Sequence, residues 1–312
     1  MKDMRRVLFV SQGLVDESGG LQQALSIARN QHATLRVLQV LPQFPPALSA
    51  YTRRFEDLQR ERFTAEFARA REALGLPEPG PPMTVLVQQA DVLAIRIVQQ
   101  VLKNADDLVV KAAEPDNGRR VISAVDLDLL RQCPVPVWLA RPIARHRGEI
   151  RVAVAIDALD RGIGGQALSL RLLQAARELA DTCSGELGVI SCWDYPLERY
   201  LRRNAWFRIS ERELDEQVMS VETEHREALE KLIRESGVGG SIRVMRAQGD
   251  PAERIPHYVS THEVDILVLG TVARTGLPGL LMGNTAERIL QSLECSLLAF
   301  KPAGFVSGVR VE

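Results

Sequence analysis

The stretch Val264–Glu287, V-D-I-L-V-L-G-T-V-A-R-T-G-L-P-G-L-L-M-G-N-T-A-E, decides the fold of the chain around it. Its apolar run, Ile266–Leu269, is too short and too β-branched for a helix and reads as a buried strand. The strand ends on Gly270, and a loop follows that carries Gly276, Pro278, Gly279 and Gly283. Asn284 then opens a helix, with Glu287 three residues on at the spacing of a capping box. A strand, a glycine-rich loop and a helix N-terminus turn backbone N–H groups and the positive end of a helix dipole toward an anion. In 312 residues this is the one stretch that itself proposes a ligand.

The same plan occurs twice. Leu25–Val40 lines up with Arg177–Cys192 at a constant offset of 152, with Ala28 on Ala180, Leu35 on Leu187 and Val37 on Val189. Asp107–Val110 (D-L-V-V) repeats as Asp265–Val268 (D-I-L-V), and Val137–Pro142 repeats as Leu297–Pro302, in the same order. A period near 150 residues is too long for a solenoid and fits a duplicated domain. Strands are expected at Val7–Val10, Leu35–Leu41, Met83–Val87, Leu108–Val110 and Val137–Ala140, and again at Val152–Ile156, Leu187–Cys192, Ile242–Met245, Ile266–Leu269 and Cys295–Phe300. Between them lie amphipathic helices, with long charged ones at about Leu48–Leu74 and Ser210–Glu235. Asp91 reads as one N-cap, and Gly249-Asp250-Pro251-Ala252-Glu253 as a second helix entry with a closing box. Alternating strands and helices make an α/β fold of two tandem Rossmann-like domains, 1–144 and 145–312, each a five-stranded parallel sheet with helices on both faces. Ligands of such sheets sit beyond the carboxyl ends of the strands.

Hydrophobic residues at 46% and charged residues at 25% are ordinary for a globular chain, and a net charge of −1 supplies no pull toward nucleic acid or anionic membrane. No apolar run reaches the roughly 18 residues of a membrane span. Cys133, Cys183, Cys192 and Cys295 are widely separated, without C-x-x-C or H-E-x-x-H, so neither a metal centre nor a disulfide framework is expected. Reduced thiols and the absence of a secretory h-region suggest a cytoplasmic protein.

Gly270, then Ala273 after two intervening residues, and Gly283-Asn284 after nine more, resemble the G-x2-G-x9-G-[S/T] nucleotide loop of the universal stress protein family. Ala273 stands where the family has its second glycine, and Asn284 where it has a hydroxyl. The G-D-P-A-E helix entry and the closing K-P-A-G-F-V-S (Lys301–Ser307) are similar to the tandem, E-type members, and the resemblance covers nearly the whole chain. It implies an adenine nucleotide alpha hydrolase-like fold with ATP or a related adenine nucleotide in the second domain. Asp157 would meet the base or ribose, and Cys192 would offer backbone atoms to the adenine. Gly270, Ala273, Arg274, Gly283, Asn284 and Thr285 would surround the phosphates. In the first domain the counterparts are Ser11, Val40 and the stretch Lys111–Ser123, which holds one glycine and no phosphate cradle. The resemblance further implies that Val135–Ala140 and Cys295–Phe300 pair within the chain, as single-domain relatives pair between chains. Association of two such chains stays open.

No G-x-S-x-G elbow, Walker lysine or metal-ligand cluster is present, so the expectation is a stress-responsive binding or regulatory protein without a catalytic residue. Two alternatives stand beside the nucleotide reading. One is a non-nucleotide small-molecule binder or adaptor with a degenerate pocket. The other is a slow nucleotide hydrolase, which needs only a positioned water.

Overall fold

The first half folds as β1 (Arg6–Ser11), α1 (Ser18–Asn30), β2 (Thr34–Leu41), α2 (Thr52–Ala73), β3 (Met83–Gln89), α3 (Leu93–Asn104), β4 (Leu108–Ala112), α4 (Ala124–Gln132) and β5 (Val137–Ala140). The second runs β6 (Arg151–Ile156), α5 (Gly165–Cys183), β7 (Glu186–Trp193), α6 (Pro196–Arg203), α7 (Glu211–Glu235), β8 (Ile242–Gln248), α8 (Pro251–Thr261), β9 (Ile266–Gly270), α9 (Asn284–Gln291) and β10 (Ser296–Phe300). This computed structural model describes residues 4–13, 16–76, 83–113, 122–160, 162, 164–203, 209–271 and 282–310.

The strands form one sheet in the order β3-β2-β1-β4-β5-β10-β9-β6-β7-β8. Pairing is parallel within each half and antiparallel where the halves meet, with Val137 opposite Ala299, Trp138 opposite Leu298 and Leu139 opposite Leu297. Every residue of β5 and β10 is buried, as strands covered on both faces require. Joining them removes two sheet edges that would otherwise invite pairing with another chain. The intramolecular seam implied by the resemblance is therefore present. One apolar core lies under α1, α2, α5 and α7, and the other under α3, α4, α8 and α9.

The duplication reaches individual bonds. Asp107 Oδ2 accepts from the N–H groups of Arg5 and Arg6 at 2.8 and 2.9 Å, and Asp265 Oδ2 accepts from that of Arg151 at 2.8 Å. In each half this aspartate, one residue before the fourth strand, ties down the entry to the first.

Three local expectations change. The first long charged helix is preceded by a separate 3₁₀ turn, Pro46–Tyr51, and the α-helix starts only at Thr52. Asp91 does not cap α3: Ala90 N–H still bonds Leu41 C=O, so the chain leaves the sheet late and Val92 becomes the residue before the helix. Asp250 caps α8 through Ala252 N–H at 2.9 Å, and its other oxygen takes Arg288 Nη1 at 2.7 Å rather than a reciprocal box forming with Glu253. Among the described residues, no helix is long and apolar enough to cross a membrane.

Candidate functional site

Strands β6, β7 and β9 end side by side, and the starts of α5, α8 and α9 face those ends. Between them lies a cavity of about 490 Å³ whose lining includes Asp157, Cys192, Gly270, Gly283, Asn284 and Thr285. Six of the residues singled out from the sequence thus meet at one place. Ala273 and Arg274 lie outside the described residues. The walls are aliphatic, built by Ile156, Leu168, Leu172, Ile255, Leu269 and Ile289.

Sequence reasoning missed the α5 side of the cavity. Asp160 Oδ1 accepts the N–H of Gly162 at 2.8 Å, folding the turn between β6 and α5. A Cβ on Gly165 would sit 2.4 Å from Asp160 Oδ2, so only glycine admits the carboxylate there. The signal was the glycine run Gly162, Gly164 and Gly165 five to eight residues after Asp157, a second glycine-rich turn at a strand's carboxyl end. A Cβ on Gly270 would lie 2.8 Å from Leu168 Cδ2, so a larger residue there would have to displace the tip of that leucine.

The start of α9 corrects the expected capping box. Gly283 occupies the cap position, with no side-chain cap bond, and Asn284 is already helical. The Glu287 carboxylate turns away instead, both oxygens lying 3.0 Å from Nη2 of Arg131 on α4 in the other half. The first N–H groups of a helix have no acceptor within it. Here those are the groups of Asn284, Thr285 and Ala286, and all three residues line the cavity.

Burial pushes the Cys192 thiol up to about 11, with Arg254 acting the other way, so it stays protonated at neutral pH and is a wall rather than a nucleophile. Behind it, Ser191 Oγ and His225 Nε2 lie 2.8 Å apart, both residues buried. Burial, then Arg246, push the His225 pKa down, while Asp157 and Glu222 oppose.

The first half carries different groups at the corresponding positions. Val7 pairs with Leu35 and Leu108, as Val152 pairs with Leu187 and Ile266. Counting along that register sets Ser11 opposite Ile156 and makes Gln12, not Ser11, the counterpart of Asp157. Val40 does correspond to Cys192. Glu17 reaches back into this site: its carboxylate accepts Ser11 Oγ–H, and Gln12 N–H at 3.1 Å. Burial pushes the Glu17 pKa up, against those two bonds and the charge of Lys111. Lys111 occupies the register position of Leu269, and its Nζ lies 2.9 Å from Asp126 Oδ1, the side chains 1% and 0% exposed. Counting back from β5 and β10 puts Asp126 at the position of Ala286 and Ser123 at that of Gly283. Ser123 Oγ accepts the N–H of Asp126 at 3.2 Å and so caps α4, where α9 has a bare glycine.

Known proteins share this architecture. Universal stress protein E of Escherichia coli K12 is 29% identical over 219 residues, spanning 69% of this chain and 67% of that protein. The Haemophilus influenzae homolog of universal stress protein E is 28% identical over 210 residues, 66% of each chain. The crystal structure of a functionally unknown protein from Pseudomonas aeruginosa PAO1 superposes with a TM-score of 0.71 at 24% identity, covering 96% of this chain and 93% of that one. A putative universal stress protein from P. aeruginosa UCBPP-PA14 gives a TM-score of 0.69 at 24% identity, with 96% and 94% covered. These structures share the fold. The model of the Universal stress protein family matches residues 4–141 and again 151–301, so this chain, with two copies of the domain in tandem, belongs to that family.

Proposed function

We propose that this member of the family is a stress-response binding and regulatory protein that takes ATP or a related adenine nucleotide into the second-domain cavity and none into the first. One observation carries the reading: the start of α9, without a side-chain cap, and Asp157 line the same cavity. The aliphatic walls suit a base, Asp157 a ribose hydroxyl, and the first-turn N–H groups of α9 a phosphate. In the first domain the Glu17 carboxylate stands in for a ligand's anion, and Ser123 already caps α4. The division between the domains is placed at Ala144, and the setting is cytoplasmic, in keeping with four free thiols.

A second reading, a non-nucleotide small-molecule binder, is favoured by the Ala273 and Asn284 departures from the nucleotide loop and by six aliphatic wall residues. The test is to purify the protein without added ligand, denature it, and identify the released molecule by mass spectrometry. Near-stoichiometric adenine nucleotide supports the first reading. A different molecule supports the second. An empty release, with no thermal shift on adding millimolar ATP, overturns the first and favours a protein-interaction adaptor. Turnover with an Asp157→Ala control addresses slow hydrolysis.

A further inference from the structure

The Glu287 carboxylate is not where its spacing in the sequence would put it. The spacing Asn284–Glu287 is that of a capping box, in which a glutamate in the first turn accepts the N–H of the cap residue. In the structure Glu287 is held instead by Arg131, an arginine from the other domain, which lies 3.5 Å from Asp128 as well. A helix of eight residues has little stability of its own, so tertiary contacts decide where it begins. With Glu287 on Arg131, the helix begins at Asn284 behind a bare Gly283. With Glu287 released, the box favours a start one residue later, and the carboxylate then takes the Asn284 N–H at the mouth of the cavity.

We propose that Arg131 is a positioning residue: it draws the Glu287 carboxylate off the α9 N-terminus and so keeps the first-turn N–H groups available to an anionic ligand in the neighbouring domain.

The position of Arg131 is itself fixed across the domain seam. Leu130 C=O, one residue earlier on α4, accepts from the buried Lys301 Nζ of the C-terminal tail. Thr271 Oγ1, at the end of β9, lies 3.5 Å from the same oxygen. An ammonium at the last carbonyls of a helix is favourable both as a hydrogen bond and against the dipole. Lys301 Nζ also sits 4.8 Å from the centre of the Phe305 ring. The last turn of α4 therefore touches the end of β9, at Thr271, and the first turns of α9, at Glu287. Arg131 neutralises Glu287 as well as moving it, removing a negative charge from the end of the helix where an anion would bind.

The functional consequence rests on the anion-binding reading of the cavity, and the experiment separates the two. In the ligand-free protein, amide exchange at Asn284 is compared between wild type and Arg131→Ala. The released carboxylate should slow exchange several-fold in the variant, and Glu287→Ala added to it should abolish the slowing. ATP titration of the same proteins should show Arg131→Ala weakening affinity by about fivefold, the size of a cap and dipole effect. Arg131→Ala/Glu287→Ala should bind as Glu287→Ala does, because without the carboxylate the arginine has nothing to hold. Slowed exchange in a protein that does not bind ATP sustains the positioning role and overturns the nucleotide reading. Unchanged Asn284 exchange overturns the positioning role whether or not ATP binds. A binding loss that persists in the double variant also overturns it, since Arg131 would then act without Glu287.

Discussion

The starts of α4 and α9 occupy the same place in the two domains and have opposite chemistry. At α4 a serine caps the helix, an aspartate in the first turn lies on a buried lysine, and the Glu17 carboxylate accepts from Gln12 N–H at the neighbouring strand end. At α9 the cap is glycine, the aspartate position is Ala286, the lysine position is Leu269, and the space beyond is an open cavity. The duplicated scaffold is equally well formed in both cases, with the same strand order and the same aspartate tether. What differs is whether the polar ends of the scaffold are satisfied from within the chain. In the first domain those ends are met by Ser123 and Lys111, and in the second the first-turn residues of α9 line a cavity.

The comparison is broken most forcefully at Lys111 and Asp126. Lys111→Ala leaves a carboxylate buried without its partner and should destabilise the protein by about 3 kcal/mol or more, read from the denaturant midpoint. Lys111→Leu with Asp126→Ala installs the second domain's own pair. That double variant should return to within about 1 kcal/mol of wild type, because the ions and their desolvation cost vanish together. Equal losses in the single and double variants would mean that the pair does not define the first site.

The ligand side of the contrast is sharpened by two substitutions at matched positions. Asp157→Ala should weaken ATP binding roughly tenfold, the scale of one hydrogen bond to a charged group. Gln12→Ala, at the same register position in the first domain, should leave the titration where it was. Isothermal calorimetry reads both, and a loss at Gln12 would move the ligand to the wrong domain.

Much of this architecture is legible in the sequence. The offset of 152, the short apolar runs and the D-L-V-V and D-I-L-V repeats carry the sheet and its seam, because strands buried on both faces leave an unbroken apolar signature. Six cavity residues were legible too: Gly270, Gly283 and Asn284 through the glycine and helix-start signals after β9, and Asp157, Cys192 and Thr285 through the family resemblance. The fate of Glu287 was not, since its partner Arg131 is 156 residues away and a local capping rule cannot see it. The bonding within the first site was hidden for the same reason: Glu17 and Lys111 look like solvated charges until the fold brings Ser11, Gln12 and Asp126 around them. The counterpart of Asp157 is Gln12 rather than Ser11, because hydrogen-bond register, which the sequence does not carry, fixes which residue follows the matched strand positions.

Exchanging the caps probes the two helix starts at a smaller scale. Ser123→Ala should cost about 1 kcal/mol of stability, the usual loss of a hydroxyl cap. Gly283→Ser should do the reverse at α9, adding a few tenths of a kcal/mol relative to glycine while competing with the phosphate for the same N–H groups. Thermal melts with and without ATP distinguish them. The nucleotide-induced shift should shrink in Gly283→Ser and persist in Ser123→Ala.

The smallest expected effect lies deeper, where each long helix is pinned to its second strand. In the first domain the pin joins two amides, Gln39 Nε2 to Gln59 Oε1 at 3.0 Å, which do not titrate. In the second it joins Ser191 to His225, which does. The groups facing His225 are Arg246 from β8, Glu222 one turn earlier on α7, and Asp157 after β6. Burial and Arg246 win, and the folded pKa lies below the ordinary histidine value of about 6.5. A depressed histidine pKa means that the unfolded chain binds the proton more readily. The stability from the neutral ring is therefore complete above about pH 6.5 and is lost as pH falls from there through the folded pKa. Asp106, raised to about 6 by burial, acts with the opposite sign in an overlapping window, so the informative quantity is a difference. His225→Gln gives the second domain the kind of pin found in the first. Subtracting its stability–pH curve from that of wild type should leave a drop of under about 1 kcal/mol between pH 7.5 and pH 6. A flat difference would show that His225 titrates as freely in the fold as out of it, and that the two pins are equivalent after all.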